Sequence, residues 1–194
     1  MARKVLLTLL VLGCLAAVSG AATYSAFSSQ TSSAGNAFDA GTVLITDNDT
    51  STAMLALSNA QPGASDTSCI LLTYSGTLAS TVRLYGTVAG ALAPYLTLTV
   101  TRGTDSSPGF DSCTGFSADG TDYIGSGNGV VYQGALSAFP SSYASGLVDP
   151  TSGSPESWTT AETHSYRFVV TLQNDNNAQG QSANAAFTWE ARNS

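Results

Sequence analysis

From residue 38 onward the chain is written in short runs of β-branched and other apolar residues, broken roughly every ten residues by Gly, Pro, Asn or Asp, the spacing of a β-sandwich or jelly roll. Alternation is clearest in two places. In 95–102, Leu96, Leu98 and Val100 alternate with Thr97, Thr99 and Thr101; in 165–173, Tyr166, Phe168, Val170 and Leu172 alternate with Arg167, Val169 and Thr171. Period two of this kind places one side of a strand on a core and the other toward water. The pattern predicts strands at 41–46, 52–58, 68–75, 81–88, 95–102, 130–132, 165–173 and 185–191.

The breaks fit the same reading. Asp47, Asn48, Asp49 and Thr50 predict a hairpin turn, because Asx side chains bond their own backbone, and Gln61, Pro62 and Gly63 predict a second turn. The stretch 103–129 reads as one long irregular loop, 135–145 as a short helix or helical turn interrupted by Pro140, and 147–156 as loop. The expected fold is all-β, a jelly-roll-like antiparallel β-sandwich with one or two short helical turns, forming a single domain over 38–194.

Residues 1–25 follow a different rule. Arg3 and Lys4 precede an apolar run from Val5 to Val18 and then small residues, the order of an export signal. The run is shorter than the roughly 20 apolar residues of a spanning helix, so removal is expected, with no membrane span left after processing. Residues 26–37 have no apolar period and little to bury beyond Phe27, and are expected to be an extended N-terminal segment. The expected location is outside the cell, secreted or at the cell surface.

Charge narrows the partners. Losing the leader leaves Arg83, Arg102, Arg167 and Arg192 against 13 acidic residues, a larger negative excess than the whole chain's −7. Nothing in that balance would neutralise phosphates, so nucleic acid is excluded as a partner. Of the three cysteines, Cys14 lies in the leader, where Val11, Leu12 and Gly13 before it also read as a lipoprotein box. Cys69 and Cys113 remain, and in an oxidising setting a Cys69–Cys113 disulfide is expected.

The chain offers little for catalysis. His164 is its one histidine, read as a surface or strand-edge residue, and no zinc-binding HExxH spacing occurs. The aspartate pairs 47/49, 105/111 and 119/122 carry oxygen ligands suited to calcium, with turn-forming as the plainer reading. Asn48-Asp49-Thr50 fits a glycosylation acceptor and reads equally as a turn. Tyr74, Tyr85, Tyr95, Tyr123, Tyr132, Phe168, Phe187 and Trp189 fall mostly in expected strands and read as core rather than as a sugar-stacking platform. No catalytic residue, cofactor or metal ligand is assigned.

Four stretches together resemble one family, the TasA and camelysin group of exported proteins with a SipW-type signal peptide. Thr23-Tyr24-Ser25-Ala26-Phe27 resembles its cleavage junction, with the cut between Ser25 and Ala26. Asn36 to Val43 resembles its first core strand, Leu57 to Gly63 its leucine followed by a Pro-Gly turn, and Ala178 to Ser182 with Phe187 to Ala191 its terminal strand. The resemblance implies a subunit of an extracellular matrix fibre or pilus-like filament, assembling with copies of itself head-to-tail by donation of the N-terminal strand. Phe27, Phe38 and Val43 would be the apolar anchors of that strand. Two alternatives stand beside it: a monomeric cell-surface binding or adhesion module, and the metalloendopeptidase activity that the family also carries in name.

Overall fold

The structure, a computed structural model, describes residues 41–49, 53–57, 60–151 and 154–193. The expected leader with Cys14, the junction at Ser25 and Ala26, and the 26–37 segment lie outside the described residues, as do Phe27 and Phe38. Among the described residues eleven strands form: β1 (Ile45–Asp47), β2 (Ser65–Tyr74), β3 (Ser80–Ala89), β4 (Leu96–Asp105), β5 (Phe116–Ala118), β6 (Val130–Ala135), β7 (Leu147–Val148), β8 (Pro150–Thr151), β9 (Ser154–Pro155), β10 (Thr163–Leu172) and β11 (Asn184–Asn193). All pair antiparallel. The fold is the expected all-β sandwich.

Its two sheets are unequal. The larger has the order β1-β2-β10-β4, with β5 and β6 both on the far edge of β4; the smaller is β11-β3-β7, and β8 with β9 make a separate hairpin. β10 sits between β2 and β4, consistent with its strict alternation: Phe168 faces Ser68 on one side and Val100 on the other. The odd-even pattern sends Ile70, Leu72 and Tyr74 of β2, Leu98 and Val100 of β4, and Tyr166, Phe168 and Val170 of β10 inward, all buried. The smaller sheet answers with Val82 and Leu84 from β3 and Phe187 and Trp189 from β11. Phe168 packs against Phe187 with centroids 4.8 Å apart, the direct contact between layers.

The other face of the larger sheet has its own cover. Cys69 is bonded to Cys113, with Cα atoms 5.1 Å apart, and the Asp111 amide donates to the Cys69 carbonyl. Arg167 lies over the Phe116 ring at 5.0 Å. The 103–129 stretch is thus pinned to the sheet and less irregular than expected, since it holds the end of β4 and all of β5.

Several elements depart from the sequence reading. The first strand begins at Ile45, because residues 42–44 are held by the β2–β3 connection: Ser75 donates to the Leu44 carbonyl and Thr77 to that of Thr42. Residues 53–57 are not a strand despite their apolar, β-prone composition. The Asp47 to Thr50 hairpin is replaced by an Asx turn in which the Asp49 amide donates to Asp47 Oδ1 at 3.1 Å. The 135–145 helix is two single 3-10 turns, Leu136–Ala138 and Tyr143–Ser145, and the 147–156 loop contains β7, β8 and β9.

The Cys69–Cys113 loop spans 44 residues. In the chain-entropy description a cross-link of that length contributes about 4 kcal/mol. Cys113→Ser is expected to lower the unfolding free energy by 2–5 kcal/mol (about the usual range for a small exported domain), read by urea denaturation with the core fluorescence of Trp158 preserved in the folded baseline.

Candidate functional site

Two places in the sandwich bring chemistry or an open surface together, and they differ in kind. The first is a buried ionic cluster around Arg102. Arg102 continues the inward parity of Leu98 and Val100, so β4 drives a guanidinium into the interior, where it is 6% exposed. Its backbone is bracketed on the β4 edge, the amide donating to Gly129 and the carbonyl accepting from Asp119. Gly129 has φ +73°, and a Cβ there would lie 2.5 Å from the Arg102 carbonyl oxygen, so the close approach requires glycine.

The guanidinium is fully engaged. Nε donates to Asp149 Oδ1 at 2.6 Å, Nη2 to Asp149 Oδ2 at 3.2 Å, Nη1 to Asp119 Oδ2 at 2.5 Å, and Nη2 also contacts Glu156. Asp149 in turn accepts from Trp158 Nε1 at 2.7 Å and from the Tyr166 hydroxyl at 2.5 Å. Four donors therefore converge on one buried carboxylate. His164 stands at the rim, its ring 4.5 Å from that of Trp158, with Nε2 at 3.0 Å from Glu162 and 3.1 Å from Arg102 Nη2.

Burial opposes the charge on Arg102, yet Asp149 and Asp119 carry its pKa above the ordinary range. Burial likewise pushes the Tyr166 phenol well above its usual value, with Asp149 adding to it, and raises Tyr123, which donates to Asp119, up to about 12. Burial alone would raise the Glu162 carboxyl, but the Thr159 amide and His164 bring it below the ordinary carboxylate value.

Asp149, Glu156 and His164 place one ligand atom each within 4.8 Å of one another, a spacing that could hold a metal ion. Their partners argue against it. The cation at this position is already Arg102, and the acceptor positions of Asp149 are taken by four donors, so a divalent ion would have to displace a guanidinium and break hydrogen bonds from Trp158 and Tyr166. The neighbouring hollow, bounded by Leu84, Asp149, Tyr166 and Trp189, is about 10 Å³, room for a single water at most. The cluster holds strands together and has no space for a substrate. Of the two readings of His164, surface or strand-edge, the second fits: it lies at the start of β10, half-buried at the rim of the cluster.

The second place is a trench along β11. β11 is an edge strand: β3 pairs with all ten of its residues from Asn184 to Asn193, and among the described residues no backbone hydrogen bond reaches its other side. Beside that edge lie three hollows in sequence, the first mainly apolar and the other two mixed, with Asp49 in the wall of the second and Asp47 in that of the third. One of about 170 Å³ touches Leu98, Val170, Ala185 and Phe187; one of about 290 Å³ touches Ile70, Phe187 and Trp189; one of about 170 Å³ touches Ile45, Leu72 and Trp189. At the end of the sandwich a larger hollow of about 620 Å³ continues from the first, sharing Leu57, Leu92 and Leu96 with it.

Across the trench stands the edge of β2, and the two edges are treated oppositely. β1 covers only Leu72, Thr73 and Tyr74 of β2. The rest is stopped by other groups: the Leu71 amide donates to Asn48 Oδ1, the Cys69 carbonyl accepts from Asp111, and the Thr67 amide donates to the carboxylate of Asp66. β2 is blunted against pairing, whereas the outer edge of β11 is unpaired among the described residues.

The sequence-named residues fall in three groups. Cys69 and Cys113 are joined as expected. Val43 is 37% exposed between residues hydrogen-bonded to 75–78, so it belongs to the domain's own edge and not to a free tail. Of the aspartate pairs, Asp47, Asp105 and Asp122 cap turns, Asp122 Oδ1 accepting from Gly125 and Ser126 and Asp105 Oδ1 from Ser107, while Asp119 belongs to the Arg102 cluster. Sequence reasoning missed Arg102, Asp149 and Trp158. The sequence matches no protein-family model and no curated protein.

Two outcomes are expected for the cluster. Arg102→Met leaves Asp149 buried without its counter-charge and should cost about 3–5 kcal/mol, with Arg102→Met/Asp149→Asn recovering part of the loss in a double-mutant cycle by chemical denaturation. In alkali, Tyr123 and Tyr166 have raised folded-state values, so their contribution is complete below the unfolded phenol value of about 10 and is lost as pH rises beyond it. Tyrosinate absorbance should therefore show Tyr123 and Tyr166 titrating late, with melting temperature falling over the interval up to about 12.

Proposed function

We propose that the protein is an exported structural subunit that forms fibres by accepting, along the bare edge of β11, an extended N-terminal segment donated by a second copy. The observation that carries this reading is a ten-residue strand edge, unpaired among the described residues, with a partly apolar trench beside it. A strand added there gains main-chain hydrogen bonds from β11, while its alternate side chains enter the hollows beside Phe187 and Trp189. The smaller sheet would grow from three strands to four at that edge.

The donor in this reading is residues 26–37 with the following Phe38. They carry two large apolar residues, Phe27 and Phe38, whose odd spacing puts them on opposite faces of a regular strand, so one of the two enters the hollows and the other lies on the outer face of the added strand. Extended at roughly 3.3 Å per residue, twelve residues reach about 40 Å, longer than the ~33 Å of a ten-residue strand. The resemblance to the TasA and camelysin group supports the same assembly. Because donor and acceptor are different surfaces, the contact is head-to-tail and propagates as an open filament. Release at Ser25–Ala26 frees the donor in the exported chain, and the fibre would belong to an extracellular matrix or the cell surface.

The test uses the secreted protein with its N-terminus sequenced. Phe27→Ser/Phe38→Ser is expected to give a folded protein, judged by an unchanged melting temperature, that makes no filaments in negative-stain images. Filaments of normal yield from this variant would overturn the proposal, and a wild-type protein that stays monomeric at high concentration would favour a binding module.

A further inference from the structure

Residues 53–57 run through the trench, and their condition there is unusual. Ala53, Met54, Leu55 and Leu57 line the hollow that also touches Ala185 and Phe187 of β11. Met54, Leu55 and Leu57 are half-buried against the core. Yet the segment forms no strand, and among the described residues none of its backbone groups bonds to another backbone group. Among the described residues its hydrogen bond to the rest of the domain is from the Ala56 amide, which donates to Asp66 Oδ2 at 2.7 Å. The apolar, β-prone sequence is thus seated in the place of a strand while leaving the edge of β11 unpaired.

Two energies separate in this arrangement. The side chains shield Leu98, Val170 and Phe187 from water, the non-directional part of burial. The backbone collects almost none of the pairing that a strand beside β11 would obtain. An incoming strand that fills the same hollows and also pairs with β11 competes with an advantage of several hydrogen bonds.

We infer that residues 53–57 are a displaceable plug: they cover the acceptor trench of the free subunit and are expelled when the donated strand of a second copy pairs with β11. The inference rests on the strand-donation reading and adds a regulatory step to it, because a subunit whose trench is covered does not present open apolar surface before it meets a donor. Asp66 sets the strength of the latch, since the same carboxylate holds Ala56 and caps the Thr67 amide of β2.

Met54 is a built-in reporter. The chain has two methionines, and the other is Met1, ahead of the Ser25–Ala26 junction. Thioether oxidation follows exposure, so Met54 should convert to its sulfoxide a few-fold faster in filaments than in monomers, on the order expected when a half-buried side chain becomes free. The experiment treats correctly processed wild-type protein, as monomer and as filament, with hydrogen peroxide and follows Met54 by mass spectrometry. Equal or slower oxidation in filaments overturns the plug and leaves strand donation standing. Absence of filaments overturns strand donation, and the plug with it. Asp66→Ala, which removes the latch, should shorten the lag before filaments appear in light scattering; an unchanged or longer lag from folded variant also counts against the plug, and if that variant does not fold, the Met54 measurement on wild-type protein decides.

Discussion

The constraint on which the structure turns is the inequality of its two sheets, since a layer three strands wide has to cover the inward face of one five strands wide. Where β11 and β3 lie over β10 and β4, Phe187 and Trp189 close on Phe168 and Tyr166, and the core is dry and packed. Beyond the edge of β11 no strand is left in the small sheet to cover Ile70, Leu98 and Val170. At about 25 cal/mol per Å² of apolar surface, leaving even three such side chains wet costs several kcal/mol, a large share of the stability of any domain. Part of that cost is met by residues 53–57, which supply side chains without supplying a strand.

A different solution holds around Arg102. Burying a guanidinium is expensive, and attraction to one carboxylate rarely offsets it unless the remaining donors and lone pairs are also satisfied. Here they are, through Asp149, Asp119 and Glu156, with Trp158 and Tyr166 completing the shell of Asp149. The geometry is directional, so the β7–β9 region that carries Asp149 and Glu156 docks on β4 and β10 in one register only. One region is fixed by directional charge, while the trench is covered by adaptable apolar contact that another segment can replace.

These two regions also mark what was legible in the sequence. The strands with strict alternation were, because parity is a local property: Leu96 to Thr101 and Tyr166 to Leu172 appear as read, and so does the pairing of Cys69 with Cys113. Arg102 carried a usable signal, since it has the parity of Leu98 and Val100 and should have been read as an inward arginine in want of a partner. Asp149 did not, because its partner lies 47 residues away and its surroundings, with Pro150 and Pro155, read as loop. Residues 52–58 were read as a strand on composition alone, and whether such a run pairs is decided by the edges it meets. His164 looked bland because nothing local announces Trp158 against its ring.

The unequal treatment of the two trench edges bears on how assembly would be directed. An edge strand invites any other strand, and unguarded edges lead to indiscriminate association. β2 is guarded group by group, with Asn48, Asp66 and the Asp111 amide each occupying a position a foreign strand would need. Among the described residues β11 has no such caps, but the mainly apolar hollow beside Phe187 favours a strand with a large apolar side chain at that position. Under strand donation, capping β2 removes the competing site, the hollows select the donor, and a plug covers the selected site until the donor arrives. Each element acts through a different interaction, so specificity would not depend on affinity alone.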